Sequence, residues 1–423
     1  MHSRSCAESD YTRATLSWDA LLDVIFRWAH LVAGIMWIGN SMLWNWIDRN
    51  LEKHHADLGR LSQGKIFMVH SGAFYEMEKK LLEPGALPAN LYWFKWQNGI
   101  TWLTGIALLV VVYYFNGAAF LVDPAVAELA PSVAISLSVG SLFCAWIIYD
   151  GLWRTFGEGN PRLATVLSVV LLFGAIFGFA QVFSGRAAYI QTGVMIGTLM
   201  TGNVWMVIMP SQRELLDATK SGREQDPIYS IRAKQRSIHN NYFTFPLLFI
   251  MISNHFPGAT THPLNWAILI AVMIGGAGVR HFMNVRYRGE GRQLPVGAWL
   301  APAVGMAGIA IAGLLVITRL SEKPLPKVDE PVTFARAEQI IHKRCLSCHS
   351  KAPADPSWPS APSGVMFDEA TQIEIMAPRI YQRAVKERSM PLNNKTMITD
   401  DERAELGNWI ERGANLDGPA APE

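Results

Sequence analysis

Five consecutive residues, Cys345-Leu346-Ser347-Cys348-His349, carry the clearest chemistry in the chain. Two thiols at this spacing, followed at once by an imidazole, form the pattern by which a c-type haem is attached. The thiols reach the two vinyl groups and the imidazole points at the iron. A zinc half-site or a redox dithiol would also use a Cys pair. Zinc wants two further ligands nearby, and no second Cys pair exists. A redox dithiol has no need of His349, and nothing nearby reads as a βαβ unit. One covalent haem c is therefore expected.

A sixth ligand should come from the C-terminal part, where Met would raise the potential relative to a second His. Met366, Met376, Met390 and Met397 are the candidates. Met390 precedes Pro391 in a loop just before the last helix and is the expected ligand, opposite His349. The last helix is well signalled. Thr399 and Glu402 form a capping box, Leu406, Trp409 and Ile410 make one apolar stripe, and Gly413 ends it.

The rest of the chain must hold this small domain and bring it electrons. Half of the 423 residues are hydrophobic, only 17% are charged, and there are 15 Trp, a balance that fits a polytopic membrane protein. No basic stripe interleaved with aromatics appears in a soluble region, so no nucleic-acid partner is expected. Of the other two cysteines, Cys6 lies in a polar tail and Cys144 in an apolar run, and neither belongs to a disulfide framework.

About eight apolar segments approach the length needed to cross a bilayer: 20–42, 94–115, 133–154, 163–184, 188–209, 240–257, 264–283 and 295–318. The first carries Asp23, Arg27 and His30 and lacks a cleavage site, so it is not a cleaved signal peptide. Lys and Arg alternate between loops. The first loop holds Arg49, Lys53, Arg60, Lys65, Lys79 and Lys80, and the second, Gly117 to Pro131, has neither. Arg154 and Arg162 flank the third; the fourth has only Arg186. The fifth holds Arg213, Lys220, Arg223, Arg232, Lys234 and Arg236. The sixth, Phe256 to Pro263, has none, and the seventh has Arg286, Arg288 and Arg292. Odd loops are expected in the cytoplasm and even loops in the periplasm, with both termini outside. Haem c is attached outside the cytoplasm, so this independent pattern agrees with the haem motif. The expected organisation is 1–320 polytopic domain, 321–331 linker and 332–423 periplasmic cytochrome c domain. The fold class is all-α, a membrane helix bundle followed by a small class I-type cytochrome c domain.

Ionisable groups within spans are costly and tend to be functional. His30 lies in the first span. His239 starts the sixth and His255 ends it, roughly 24 Å away along a helix. His281, beside Arg280, closes the seventh, and His70 sits in the first loop. His54 and His55 stand among charges and read as solvated. Each lone His could equally be an interfacial anchor or a hydrogen-bonded core residue, and Asp150 with Arg154 a structural ion pair. The polar density of Ser237-Ile238-His239-Asn240-Asn241-Tyr242-Phe243-Thr244 shifts the balance, since these side chains need a cavity, a cofactor or a substrate.

The stretches His70 to Tyr75, Leu91 to Trp96 and His239 to Pro257 (with Ser253-Asn254-His255), and Cys345 to His349 with Met390-Pro391, together resemble the membrane-bound bacterial urate oxidases (urate hydroxylases). That resemblance covers nearly the whole chain. It implies a bacterial inner-membrane enzyme that oxidises urate with water to 5-hydroxyisourate. Electrons would pass to the fused c-type haem and on to a downstream cytochrome c or terminal oxidase. Urate is a planar anion and wants cations, aromatic faces and amides. Lys95, Trp96, Asn240, Asn241 and Arg280 are the expected binding residues, with His239, His70, His281 and His30 as catalytic candidates. A quinone headgroup would suit much of the same set. The alternative reading is thus a quinol-to-cytochrome c electron-transfer module of a respiratory complex. A bare anchor would need one span rather than eight. A hydrocarbon core about 30 Å thick separates a cytoplasmic-side site from a periplasmic haem. Either the site lies in the outer half, or a haem b bridges the gap, with His30 and His255 as its expected ligands.

Overall fold

The computed structural model describes residues 18–53, 59, 61–115, 118–288, 292–293, 295–320, 324–358 and 360–416. Cys6, His54, His55 and the start of the expected linker lie outside them. Two units follow one another in the chain. The first is a helical bundle. α1 runs Trp18–Asn50, α2 Trp96–Leu108 into a π-helical turn at Leu109–Tyr114, α3 Pro131–Thr155 and α4 Pro161–Val182. α5, Gly185–Gly202, continues through a second π-helical turn, Asn203–Ile208, into α6, Met209–Lys220. α7 is Pro227–Ile252, α8 the short Pro257–Thr260, α9 Asn265–Val285 and α10 Val296–Leu320.

Among the described residues seven helices are long and apolar enough to cross a membrane. They coincide with the expected apolar runs except the sixth. That run, 240–257, is the second half of α7, a 26-residue helix whose first half carries Arg232, Lys234 and Arg236. The charged half packs on α6 as a polar helical hairpin, which is why hydropathy alone marks the span short. Asp226 caps α7, accepting the Ile228 amide at 2.9 Å, so the helix starts three turns before the expected span. His239 therefore lies halfway along a helix rather than at its start.

The all-α expectation also meets two small antiparallel ribbons. β1, Ser62–His70, pairs with β2, Ala73–Lys80; β3, Tyr287–Arg288, pairs with β4, Arg292–Gln293. Ser71 (φ 52°) and Gly72 (φ 76°) are both left-handed, the two-residue turn that matches the twist of a hairpin. His70 pairs with Ala73 across that turn and is exposed at its tip.

Loops gather by parity. At one end, the Ser184 amide donates to Leu121 O at 3.0 Å and Arg186 Nε to Asn254 Oδ1 at 2.8 Å, joining loops two, four and six. At the other, the Gly85 amide donates to Thr219 O at 2.7 Å, Arg232 Nε to Glu158 at 2.6 Å and Arg49 to Asn284 O at 2.5 Å. The alternation of Lys and Arg thus maps onto two opposite ends, called here the even and odd ends. Gly185 is required at the even end because a Cβ there would lie 1.9 Å from Thr260 O.

The second unit holds α11 Phe334–Arg344, α12 Ala370–Ile380 and α13 Asp400–Glu411. They enclose their own core of Ile340, Ile341, Phe367, Ile373, Leu406 and Trp409. The expected capping box of Thr399 and Glu402 opens α13. This unit docks on the even end. Asn393 Nδ2 donates to Ala119 O (3.1 Å) and Val122 O (2.9 Å), and Thr261 Oγ1 to Glu387 O (2.9 Å). Trp358 meets Phe120 edge-on at 5.6 Å.

Reporter domains fused after Glu128 and after Leu320 should therefore give the same response, and one at Ser221 the opposite. The positive-inside rule leads us to expect activity of the first two outside the cytoplasm. Disagreement between Glu128 and Leu320 would contradict the docking.

Candidate functional site

The motif Cys345 to His349 follows directly from α11, whose amphipathic face buries Ala337, Ile340 and Ile341 and so fixes where the motif emerges. Cys345, Cys348 and His349 are only partly covered, and both thiols are free. Burial pushes the Cys345 thiol up to about 12, and burial also pushes Cys348 up. A redox dithiol needs the reverse, a thiol that ionises easily. No group of three or more His, Cys, Asp or Glu side chains converges on one point among the described residues, which leaves a zinc site without ligands. His349 Nδ1 hydrogen-bonds Val365 O at 3.0 Å, and the ring packs 5.2 Å from Phe367. That bond puts the proton on Nδ1 and leaves Nε2 as a lone-pair donor. Burial holds the ring below the ordinary histidine range, so it is neutral, as a metal ligand must be. This donor set fits a covalently held haem.

The candidate sixth ligands separate by position. Met397 is 74% exposed, and Met376 packs against the core of the unit. Met390 is half-buried in a loop held from beneath. Its amide donates to Arg383 O at 3.1 Å, and buried Arg403 donates to its carbonyl at 2.8 Å. Asn393, three residues on, makes the docking bonds described above. The loop expected to carry the ligand is thus the loop that touches the bundle.

Within the bundle, the residues expected to form one cluster divide into several. His239 Nδ1 bonds the Tyr149 hydroxyl at 2.7 Å, with its ring 4.1 Å from Trp153. Asn203, at the start of the second π-helical turn, donates to that hydroxyl (3.0 Å) and to Asn240 Oδ1 (2.9 Å). Asn240 in turn donates to Met200 O at 3.0 Å. Arg236 pairs with Asp150 at 2.7 Å and lies 4.8 Å over the Tyr149 ring. So Asp150, expected to pair with Arg154, holds both arginines. Asn203 Oδ1 and Arg236 Nη1 are buried without a hydrogen bond, an acceptor and a donor in one network.

One residue on, Asn241 turns to another neighbour. Its Oδ1 accepts from Arg280 Nε (3.1 Å) and Asn284 Nδ2 (2.7 Å), and its own amide nitrogen has no partner. Beside it a cavity of about 300 Å³ opens between α1 and α9, walled by Trp46, Arg49, Arg280, Asn284 and Arg286. Three guanidinium groups and no carboxylate make this an anion-accepting wall. Lys95 stands apart, its ammonium within 6 Å of the Trp93, Trp96 and Trp205 rings. His281 is exposed and bonds Tyr242 at 2.8 Å. His30 Nδ1 bonds Thr101 O at 2.9 Å on α2, whereas His255 is exposed in the turn after α7.

Residues 15–316, well over half the chain, match the urate oxidase N-terminal family. The chain belongs to that family. No curated protein and no solved structure matches it. The urate oxidase N-terminal match runs from before α1 into the last turn or so of α10, so it points to a urate-related oxidoreductase and does not reach the Cys-x-x-Cys-His unit.

Sequence reasoning missed Tyr149, Asn203, Arg49 and Asn284 because each is polar for a partner distant in sequence. It read Arg186 only as a loop charge. The usable signal was there: an arginine alone in a loop where the charge rule expects none. Replacing Asn203 by Ala removes donors from both Tyr149 and Asn240. The unfolding midpoint in mixed micelles should fall, at a cost of about 1–3 kcal/mol. An unchanged midpoint would mean that the network holds nothing together.

Proposed function

We propose that this chain is a membrane-bound urate oxidase that delivers its electrons to a c-type haem on its own C-terminal unit. The reaction is urate plus water giving 5-hydroxyisourate, two protons and two electrons, so it needs an anion site, a proton acceptor and an electron exit. The observation that carries the reading is the docking. The loop bearing Met390, through Asn393, rests on the even end of the domain that belongs to the urate oxidase N-terminal family. Cys345 and Cys348 would hold the haem by thioethers, His349 through Nε2 and Met390 through sulfur. The bound haem supplies a one-electron acceptor that is emptied by a downstream cytochrome c or terminal oxidase. Arg403 holds the Met390 carbonyl, and Val365 O keeps the His349 ring turned.

For the anion and the proton the bundle offers two places. One is the Arg49, Arg280 and Arg286 cavity, with Asn241 behind it and the His239 network one residue further along α7. The other is Arg186 with Asn254 at the even end. Lys95 and Trp96 lie in a tryptophan cage that would hold a cation rather than an anion. The even end is expected on the periplasmic side of a bacterial inner membrane, with lipid around the exposed apolar faces of α1, α4 and α10.

Anaerobic addition of urate to the oxidised, purified protein should reduce the haem c spectrum in an amount set by two electrons per urate. If a quinol reduces it and urate does not, the protein is a quinol-to-cytochrome c module and the proposal fails. In the same preparation, Met390→Ala should abolish the sulfur-to-iron charge-transfer absorption and lower the midpoint potential, while Met397→Ala leaves both unchanged. The reverse pattern would move the ligand to Met397.

A further inference from the structure

Arg280 is fifteen residues along α9 from Asn265 at the even end, or about 22 Å of helix. A substrate in the three-arginine cavity would lie at least that far from the unit that carries Cys345 to His349. An electron leaving the odd-end cavity must cross that length, whereas the even end adjoins the C-terminal unit.

At the even end Arg186 is the second residue of α5. Its Nε donates to Asn254 Oδ1 at 2.8 Å, and its guanidinium lies 4.6 Å over the Phe120 ring and 5.9 Å from Tyr113. No described carboxylate pairs with it, although Arg27, nearby on α1, is paired with Asp23 at 2.5 Å. The Asn254 side chain also reaches toward the Tyr113 hydroxyl. Tyr113 comes from the first π-helical turn, a distortion that recurs at functional sites. It is 4% exposed, and its hydroxyl lies beside Arg186 and Asn254 without meeting either in hydrogen-bond geometry. A buried hydroxyl without a partner costs roughly 1–3 kcal/mol, so something polar is wanted there. Phe120, 6.3 Å from Tyr113, touches Trp358 of the docked unit.

We propose that the urate anion binds at the even end of the bundle, between Arg186, Asn254 and Tyr113 and beneath the docked C-terminal unit. This rests on the urate-oxidase reading and says where that substrate sits. Arg186 supplies the charge, Asn254 and Tyr113 meet the polar edge of the purine, and the aromatic rings of Tyr113 and Phe120 wall its faces. The Phe120–Trp358 contact puts the substrate one domain contact from the Cys-x-x-Cys-His unit. It also accounts for an uncompensated arginine in the loops that otherwise lack Lys and Arg.

The test is equilibrium binding of labelled urate to the oxidised full-length protein in lipid nanodiscs, alongside the KM for urate-driven haem reduction. Arg186→Gln should weaken binding by about ten- to a hundredfold, the worth of a charged hydrogen bond. Tyr113→Phe should weaken it about threefold or more. That variant also answers the objection that Arg186 merely supports the fold. Removing an unpartnered buried hydroxyl leaves the haem spectrum unchanged and the thermal midpoint no lower than in the wild type, so a loss of urate affinity cannot be a loss of structure. If both variants bind urate as the wild type does, the site is wrong, though the function stands. If Arg280→Gln abolishes binding while Arg186→Gln does not, the anion sits in the odd-end cavity and the proposal is overturned. Wild-type protein that neither binds urate nor is reduced by it removes the functional reading, and this site with it.

Discussion

Inside an apolar bundle a polar side chain has no water to turn to, and each must find its partner on another helix. The register of four helices here depends on that requirement. Tyr149 on α3 meets His239 on α7, and Asn203 joins α5 to both through Tyr149 and Asn240. Asn241 then ties α7 to Arg280 and Asn284 on α9. Consecutive residues of one helix point about 100° apart, so Asn240 and Asn241 serve opposite neighbours. Slipping α7 by one residue would orphan every one of these groups at once. The apolar contacts around them, such as Ile196, Ile250 and Leu269, are less selective, because many slips would bury similar area.

The same geometry explains which parts of the molecule were readable in the chain. Span positions and the parity of the loops follow from hydropathy and from Lys and Arg, both local properties. The heptad-like stripe of α13 and its cap at Thr399 were equally local. What escaped was the division of His239, Asn240, Asn241, Lys95 and Arg280 into separate groups, because membership depends on which helix lies on which side. His70 went to an exposed hairpin tip for a local reason, the left-handed pair Ser71 and Gly72, though apolar neighbours such as Phe74 and Tyr75 masked the strand pattern.

The two ends of the bundle differ in how charge is treated. At the odd end Arg236 is neutralised by Asp150 and Arg232 by Glu158, while three arginines converge on the cavity. At the even end the docked unit brings backbone and aromatic contacts and, among the described residues, no carboxylate to Arg186. Both ends can thus receive an anion, and what separates them is nearness to the C-terminal unit.

The Asn393 bonds have a consequence for how this chain can vary. Both of its acceptors, Ala119 O and Val122 O, are main-chain carbonyls, which every residue type provides. These two bonds are therefore blind to the side chains at positions 119 and 122, and substitutions there that keep the backbone path leave them intact, whereas Phe120 between them docks through its ring on Trp358. The amide at position 393 has no such freedom, being the only partner in the pair whose chemistry is written in a side chain. Drift at positions 119 and 122, with constancy at the amide and at the ring of Phe120, is the pattern that natural variation should leave behind.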